Sequence, residues 1–188
     1  MKRDEELILE FQKGSTAAFT ELFLRYRDPL YGFFRRRLSS STRAEELAQE
    51  CFLAILQGIE HYEPRATFRT YIYSIALRMI AAEYRKQSRE LTSGIDPEEI
   101  ARSESTELTL VVQSAIKGLD SDYREVLMLR EYEGLSYEEV ATALKIPTNT
   151  VRSRLFRARM QLKAALETHA SPALSEGKVV NMSPARQE

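Results

Sequence analysis

Apolar residues recur along this chain at helical spacing, and nowhere do they alternate with polar ones as a half-buried strand requires. The pattern predicts an all-α protein. A first helix fits Glu5 to Lys13, stopped by Gly14. Ser15 or Thr16 caps a second, which carries Phe19, Leu22, Phe23 and Tyr26. Asp28-Pro29 has the form of a fresh start, so a third helix is expected to present Leu30, Phe33, Phe34 and Leu38. Ser39 to Ser41 reads as a loop. Thr42 and Glu45 form a capping box that opens a helix to about Ile59, with Leu47, Cys51, Leu53 (or Ala54) and Ile55 inward. His61 to Ala66, holding Pro64, is an irregular connection, and Thr67 then caps a long helix ending near Ser88.

Residues 91–106 carry Ser, Thr, Gly, Pro and acids without an apolar stripe, and read as a flexible linker between two small helical domains, 5–90 and 107–167. The second domain is expected to hold helices at about 107–118, 122–132, 136–144 and 148–167, with Gly134 ending the second of these. Residues 168–188 are polar and rich in breakers, a disordered tail. The stretch from Leu135 to Leu162 is the most telling, two short helices around a tight turn, with a helix-turn-helix at 136–156. Ser136 and Glu139 make a capping box, Pro147 cannot continue the first helix, and Thr148 or Asn149 caps the next. At about 100° per residue, Val151, Leu155, Ala158 and Leu162 share one stripe, which faces Val140, Ala141 and Leu144. Arg152, Ser153, Phe156 and Arg157 then point outward, while Arg154 lies near the buried edge, within reach of Glu138 or Glu139.

Charge sharpens this picture. The 188 residues have a net charge of -1, yet five basic side chains and no carboxylate stand between Thr148 and Leu166. Arg65 to Glu90 holds six basic residues against two acidic ones, and Leu91 to Leu110 holds five acidic against one basic. A near-neutral protein that segregates cations in this way has two surfaces suited to an anion such as DNA, joined by a strip that avoids it. The plainer reading of the basic helix alone is a solvated face in a bundle. Two readings of the whole protein follow from these features alone. One is a stand-alone helix-turn-helix regulator that binds duplex DNA; the other is a helical adaptor whose basic faces bind protein.

Several classes drop out. No apolar run is long enough to cross a bilayer, and the N-terminus has no signal-peptide core, so no membrane insertion is expected. Cys51 is the one cysteine, suited to a reducing cytosol and to a small buried apolar role. His61 and His169 lack metal-ligand partners at helical spacing, and no phosphate loop or activated nucleophile appears. Neither a cofactor nor enzymatic activity is expected.

RAEELAQECFLAIL (Arg43 to Leu56) followed by FRTYIYSIALRMIAAEYRKQSR (Phe68 to Arg89) resembles the second region of bacterial sigma-70 factors, and Leu119 to Leu162 resembles their fourth. Their order, with the linker between, is similar to the two-domain extracytoplasmic-function (ECF) group over about residues 5–166. The resemblance implies a subunit that directs core RNA polymerase to promoter DNA and helps to melt it. Glu45, Glu46, Leu47, Gln49 and Glu50 match the family's polymerase-docking surface. Phe68, Arg69, Tyr71, Arg78, Arg85 and Lys86 fall on its −10 element helix, with Tyr73 and Tyr84 as further rings and His61 to Ala66 as the base-capturing loop. Arg152, Ser153, Phe156 and Arg157 match its −35 contacts. The chain departs from the family at Tyr71, Ser74, Arg78 and Ala82, where Trp, Arg, Asn and Asp are usual, which alters the expected −10 preference. An anti-sigma partner is also implied.

Overall fold

The computed structural model describes residues 2–59, 62–63, 66–92 and 107–170, and these form eight helices and no strand. The first half holds α1 (Asp4–Gln12), α2 (Thr16–Arg35), α3 (Ser41–Gly58) and α4 (Phe68–Thr92). The second holds α5 (Glu107–Lys117), α6 (Ser121–Glu131), α7 (Tyr137–Leu144) and α8 (Thr148–Ala170). The expected linker lies outside the described residues except for Leu91 and Thr92, which extend α4. The expected tail lies outside them too, apart from Thr168 to Ala170, which continue α8.

Within the first half, α2 packs on α1 and α3, and α3 packs on α4. The restart expected at Asp28-Pro29 does not occur, because α2 runs unbroken through Pro29. Leu22, Tyr26, Leu30, Phe33 and Phe34 hold one helical phase across the proline, and all are buried. An interior proline costs about 3 kcal/mol, whereas burying each of the three large side chains beyond it contributes roughly 1.5–3 kcal/mol. The stripe wins. The cap of α3 also differs: Ser40 accepts from the Arg43 N–H at 3.2 Å, two residues ahead of the expected Thr42–Glu45 box. The α3 stripe buries Phe52 beside Cys51 and turns Leu53 outward, against the expectation for Leu53. Burial pushes the Cys51 thiol up to about 12, which keeps it protonated and inert.

In the second half, α8 lies across α5, α6 and α7. The expected capping box at α7 is present, with the Ser136 hydroxyl accepting from Glu139 N–H at 3.1 Å and the Glu139 carboxylate from Ser136 N–H at 2.8 Å. Gly134 ends the α6 turn with φ +63, and Leu135 N–H closes it onto the Leu129 carbonyl at 3.1 Å. At the end of α7 the left-handed position goes to Lys145, at φ 56, where no glycine marked it in the sequence. The Pro147 carbonyl accepts from Thr150 and Val151 N–H to start α8.

The two halves meet where α7 packs on α4, and their buried apolar side chains belong to one cluster. The contact is rich in charge. Glu133 pairs with Arg36 at 2.7 Å, Arg37 pairs with Glu125 at 2.8 Å, and the Thr67 hydroxyl donates to Glu139 at 2.7 Å.

Lys145 is exposed, so only its backbone conformation is at stake. Lys145→Gly is expected to stabilise the second half by about 0.5–1 kcal/mol, since glycine adopts positive φ without the Cβ clash. Thermal unfolding followed by circular dichroism checks this.

Candidate nucleic-acid interface

The helix-turn-helix presents its second helix as the pattern predicted. Val151, Leu155 and Ala158 are buried against α6 and α7, with Leu162 partly so. That packing sets the rotation of α8, and Arg152, Ser153, Phe156 and Arg157 emerge on the solvent side. Phe156 is 66% exposed, an apolar ring left largely uncovered among the described residues. The five basic residues of α8 then divide by partner. Arg154 pairs with Asp122 at 2.5 Å, Arg159 with Glu131 at 2.6 Å and Lys163 with Glu167 at 3.6 Å. The Arg154 partner is thus Asp122 of α6 and not Glu138 or Glu139, because Glu139 is engaged by the Ser136 N–H and the Thr67 hydroxyl. Arg152 and Arg157 meet neutral oxygens instead, Asn149 Oδ1 at 3.4 Å and the Tyr123 hydroxyl at 3.1 Å. They flank Phe156 with positive charge available to an incoming anion.

On α4 the expected site residues separate onto opposite faces. Phe68 is 1% exposed and packs edge-on against Tyr26 and Tyr62, so it belongs to the core and not to a binding surface. Tyr73 is likewise buried, beside Phe33. Both rings lie on the inward stripe with Ile72, Ile75 and Ile80, where apolar burial outweighs any gain from exposure. Arg69 faces the second half and donates to the Glu133 carbonyl. Tyr71, Arg78 and Arg85 recur seven residues apart and so share the opposite face, a half-turn of the helix away from Arg69. Arg78 and Arg85 are exposed there, with Lys86 exposed beside them; Tyr84 lies on the side nearer Arg69, where its hydroxyl donates to the Arg37 carbonyl at 3.0 Å.

Tyr71 is half-buried, its ring 4.9 Å from that of Tyr62 in the connection before α4. His61, Pro64 and Arg65 of that connection lie outside the described residues. Tyr62 was not singled out from the sequence, because nothing local marks a loop tyrosine as packed on a helix. Gly58 serves the same cluster: a Cβ there would lie 2.8 Å from the Tyr71 hydroxyl. The pair forms a ring platform at the N-terminal end of the cationic stripe.

The α3 face carries Glu45, Glu46, Gln49 and Glu50, all exposed. Leu47 is not part of it, since its side chain is buried in the core. The apolar residue on this face is Leu53, 57% exposed and one turn past Glu50, where the expectation of Leu53 (or Ala54) inward does not hold for Leu53. Arg43 organises the acids, bonding Glu46 and Glu50 at 2.9 Å each and the largely buried Glu83 of α4 at 2.9 Å. The bond to Glu83 leads the several contacts that raise the Arg43 pKa. No group of metal-ligating side chains occurs among the described residues, and no described helix is long and apolar enough to cross a membrane.

Comparison with known proteins agrees with these two units. Residues 22–90 match the family described as Sigma-70 region 2, and residues 109–162 match Sigma-70, region 4. The chain is 31% identical to the RNA polymerase sigma-H factor of Pseudomonas aeruginosa, covering 88% of this chain and 95% of that one. It is 32% identical to the ECF RNA polymerase sigma-E factor of Escherichia coli (strain K12), covering 83% and 90%. Among solved structures it resembles CnrH in complex with the cytosolic domain of CnrY, with a TM-score of 0.71, 25% identity and coverage of 88% and 97%. The sigma factor RpoE bound to the anti-sigma factor NepR from Bartonella quintana shares the fold, with a TM-score of 0.68, 24% identity and coverage of 79% and 96%.

Arg43→Ala leaves the Glu83 carboxylate largely buried without its cation and is expected to cost about 2 kcal/mol of stability. The double variant with Glu83→Gln should recover part of that loss, because the uncompensated charge is gone. Urea unfolding of the two variants provides the comparison.

Proposed function

The chain belongs to the sigma-70 family, in its ECF group, and on that footing we propose how its surfaces share promoter recognition. It is a sigma factor that directs core RNA polymerase to promoter DNA for transcription initiation. Our reading assigns residues 5–90 to core-enzyme and −10 binding, residues 91–106 to the linker and residues 107–167 to −35 binding. The observation that carries it is the outer face of α8, where Arg152 and Arg157, bonded only to neutral groups, flank the exposed Phe156.

A helix of this kind fits the major groove of duplex DNA. There Arg152 and Arg157 would bond guanine acceptors or phosphates, Ser153 would bond either, and Phe156 would meet a thymine methyl. At the −10 element the strands must part, and an unstacked base needs an aromatic face while its phosphates need cations. Tyr71, supported by Tyr62, supplies the face; Arg78, Arg85 and Lys86 supply the cations. Phe68 serves only as the packing beneath Tyr71. The acidic α3 face with Leu53 at its end suits a basic partner helix with an apolar contact, the docking site for core enzyme. The chain has no catalytic role in this scheme, and polymerase supplies the chemistry. Its place of action is the cytoplasm, with the transcription machinery. An anti-sigma partner fits the same reading, as two of its structural relatives are held in complexes with NepR and with the cytosolic domain of CnrY.

Arg152→Ala or Arg157→Ala is expected to cost roughly 1–3 kcal/mol of −35 binding by the holoenzyme and to relax base preference there. Transcript start sites mapped by sequencing after forced expression provide the readout, and unchanged promoter choice in both variants would remove α8 from recognition. Glu46→Lys with Glu50→Lys should weaken capture of core polymerase while thermal unfolding of the protein stays cooperative. Undiminished capture would put the docking surface elsewhere.

A further inference from the structure

Two neighbouring residues of α6 hold two arginines of α8, with opposite electrostatic results. Asp122 bonds Arg154 at 2.5 Å, carboxylate to guanidinium, which cancels that charge at the edge of the helix. Tyr123, the next residue, accepts from Arg157 Nη1 at 3.1 Å through a hydroxyl that carries no charge. Arg154 and Arg157 lie three residues apart on α8, so the two contacts sit on adjacent turns. Tyr123 is partly buried, its ring packed against the hydrophobic core, whereas Arg157 is exposed. The ring is a fixed post, and the hydroxyl at its end reaches the outer face of α8.

Stability does not require that contact. Buried apolar residues already pack α6 on α8, and a hydrogen bond at the surface adds little to folding. Its effect falls on the arginine. An untethered guanidinium samples many rotamers, and ordering it at the moment of binding lowers affinity by roughly three- to tenfold. A carboxylate in place of the phenol would hold Arg157 more firmly, but it would cancel the charge and repel the DNA backbone. The hydroxyl holds the side chain and leaves its charge whole. Arg152 has a looser guide, since Asn149 is exposed and lies 3.4 Å away on the same helix.

We propose that Tyr123 is a positioning residue for −35 recognition. Its hydroxyl aims the Arg157 guanidinium at one acceptor in the major groove and so sharpens preference at the base pairs that Arg157 meets. The two-pronged contact of a guanidinium with guanine O6 and N7 tolerates little misplacement, and a wandering arginine settles as readily on a phosphate. This inference rests on the sigma-factor reading above, and its test separates the two.

The probe is a pool of duplexes with a randomised segment too short to hold both promoter elements. Holoenzyme and the full chain alone each select from it, and sequencing of the bound fraction gives the preference at every pair. Arg157→Ala identifies the pairs that the arginine meets. Tyr123→Phe removes the hydroxyl and keeps the packed ring. It is expected to flatten preference at those same pairs by roughly three- to tenfold, with preference elsewhere and thermal unfolding unchanged. In the double variant, affinity for the selected duplex should be no lower than for Arg157→Ala alone, because the tether then has nothing to hold. The same comparison cancels any general loss of folding, which lowers affinity alike with and without the arginine. Intact preference in Tyr123→Phe overturns the assignment. So do affinity losses that multiply in the double variant, since the two side chains would then act independently. If the full chain alone shows the expected coupling but no form captures core polymerase, the role of Tyr123 stands and the sigma-factor reading fails.

Discussion

Burial fixes the rotation of each helix about its own axis, and the chemistry on the outside follows from that one constraint. Val151, Leu155 and Ala158 are locked against α6 and α7, so α8 has a single way to present Arg152, Phe156 and Arg157. On α4, Phe68, Ile72 and Ile75 lie inside, which turns Arg78 and Arg85 out and sends Arg69 toward the second half. On α3, Phe52 goes in and Leu53 comes out. Each buried side chain of this size contributes roughly 1.5–3 kcal/mol, more than most exposed polar contacts return. The apolar stripes therefore decide, and the functional faces are what remains.

Electrostatics then sorts the cations those faces carry. A net charge of -1 gives no hint of nucleic acid, yet acids are spent locally on particular arginines and not on others. Arg154 and Arg159 are neutralised from α6, which anchors α8 at its edge, while Arg152 and Arg157 keep neutral partners. Arg43 does the converse on α3, drawing Glu46 and Glu50 together above Glu83. Exposed pairs of this sort add little to stability. Their effect is to determine which charges a partner meets.

The junction of the halves shows the same economy of parts. Gly134 takes positive φ to end the α6 turn, and its missing Cβ leaves the Arg69 guanidinium room 3.1 Å from where that atom would be. The turn that begins the helix-turn-helix is thus also the surface that binds the first half, through Glu133 just before it. Glu133 and Gly134, which follow α6 just before the helix-turn-helix, are thus the residues that meet Arg36 and Arg69 of the first half.

Much of this was written locally. The all-α class, the Ser136–Glu139 box, the Thr67 cap and the outward set on α8 follow from hydrogen-bonding side chains and helical period within a few residues of each other. Such features need no knowledge of distant neighbours. Other features depended on long-range packing. Pro29 is a plausible helix start until the stripe running through it finds a core on α1 and α3. Phe68 and Tyr73 resemble exposed rings until Tyr26 and Phe33 cover them. Asp122 rather than Glu138 or Glu139 takes Arg154, and Glu133 meets Arg36 from 97 residues away. Sequence period gives the direction of a side chain around its own helix; only the assembled fold determines what stands opposite it.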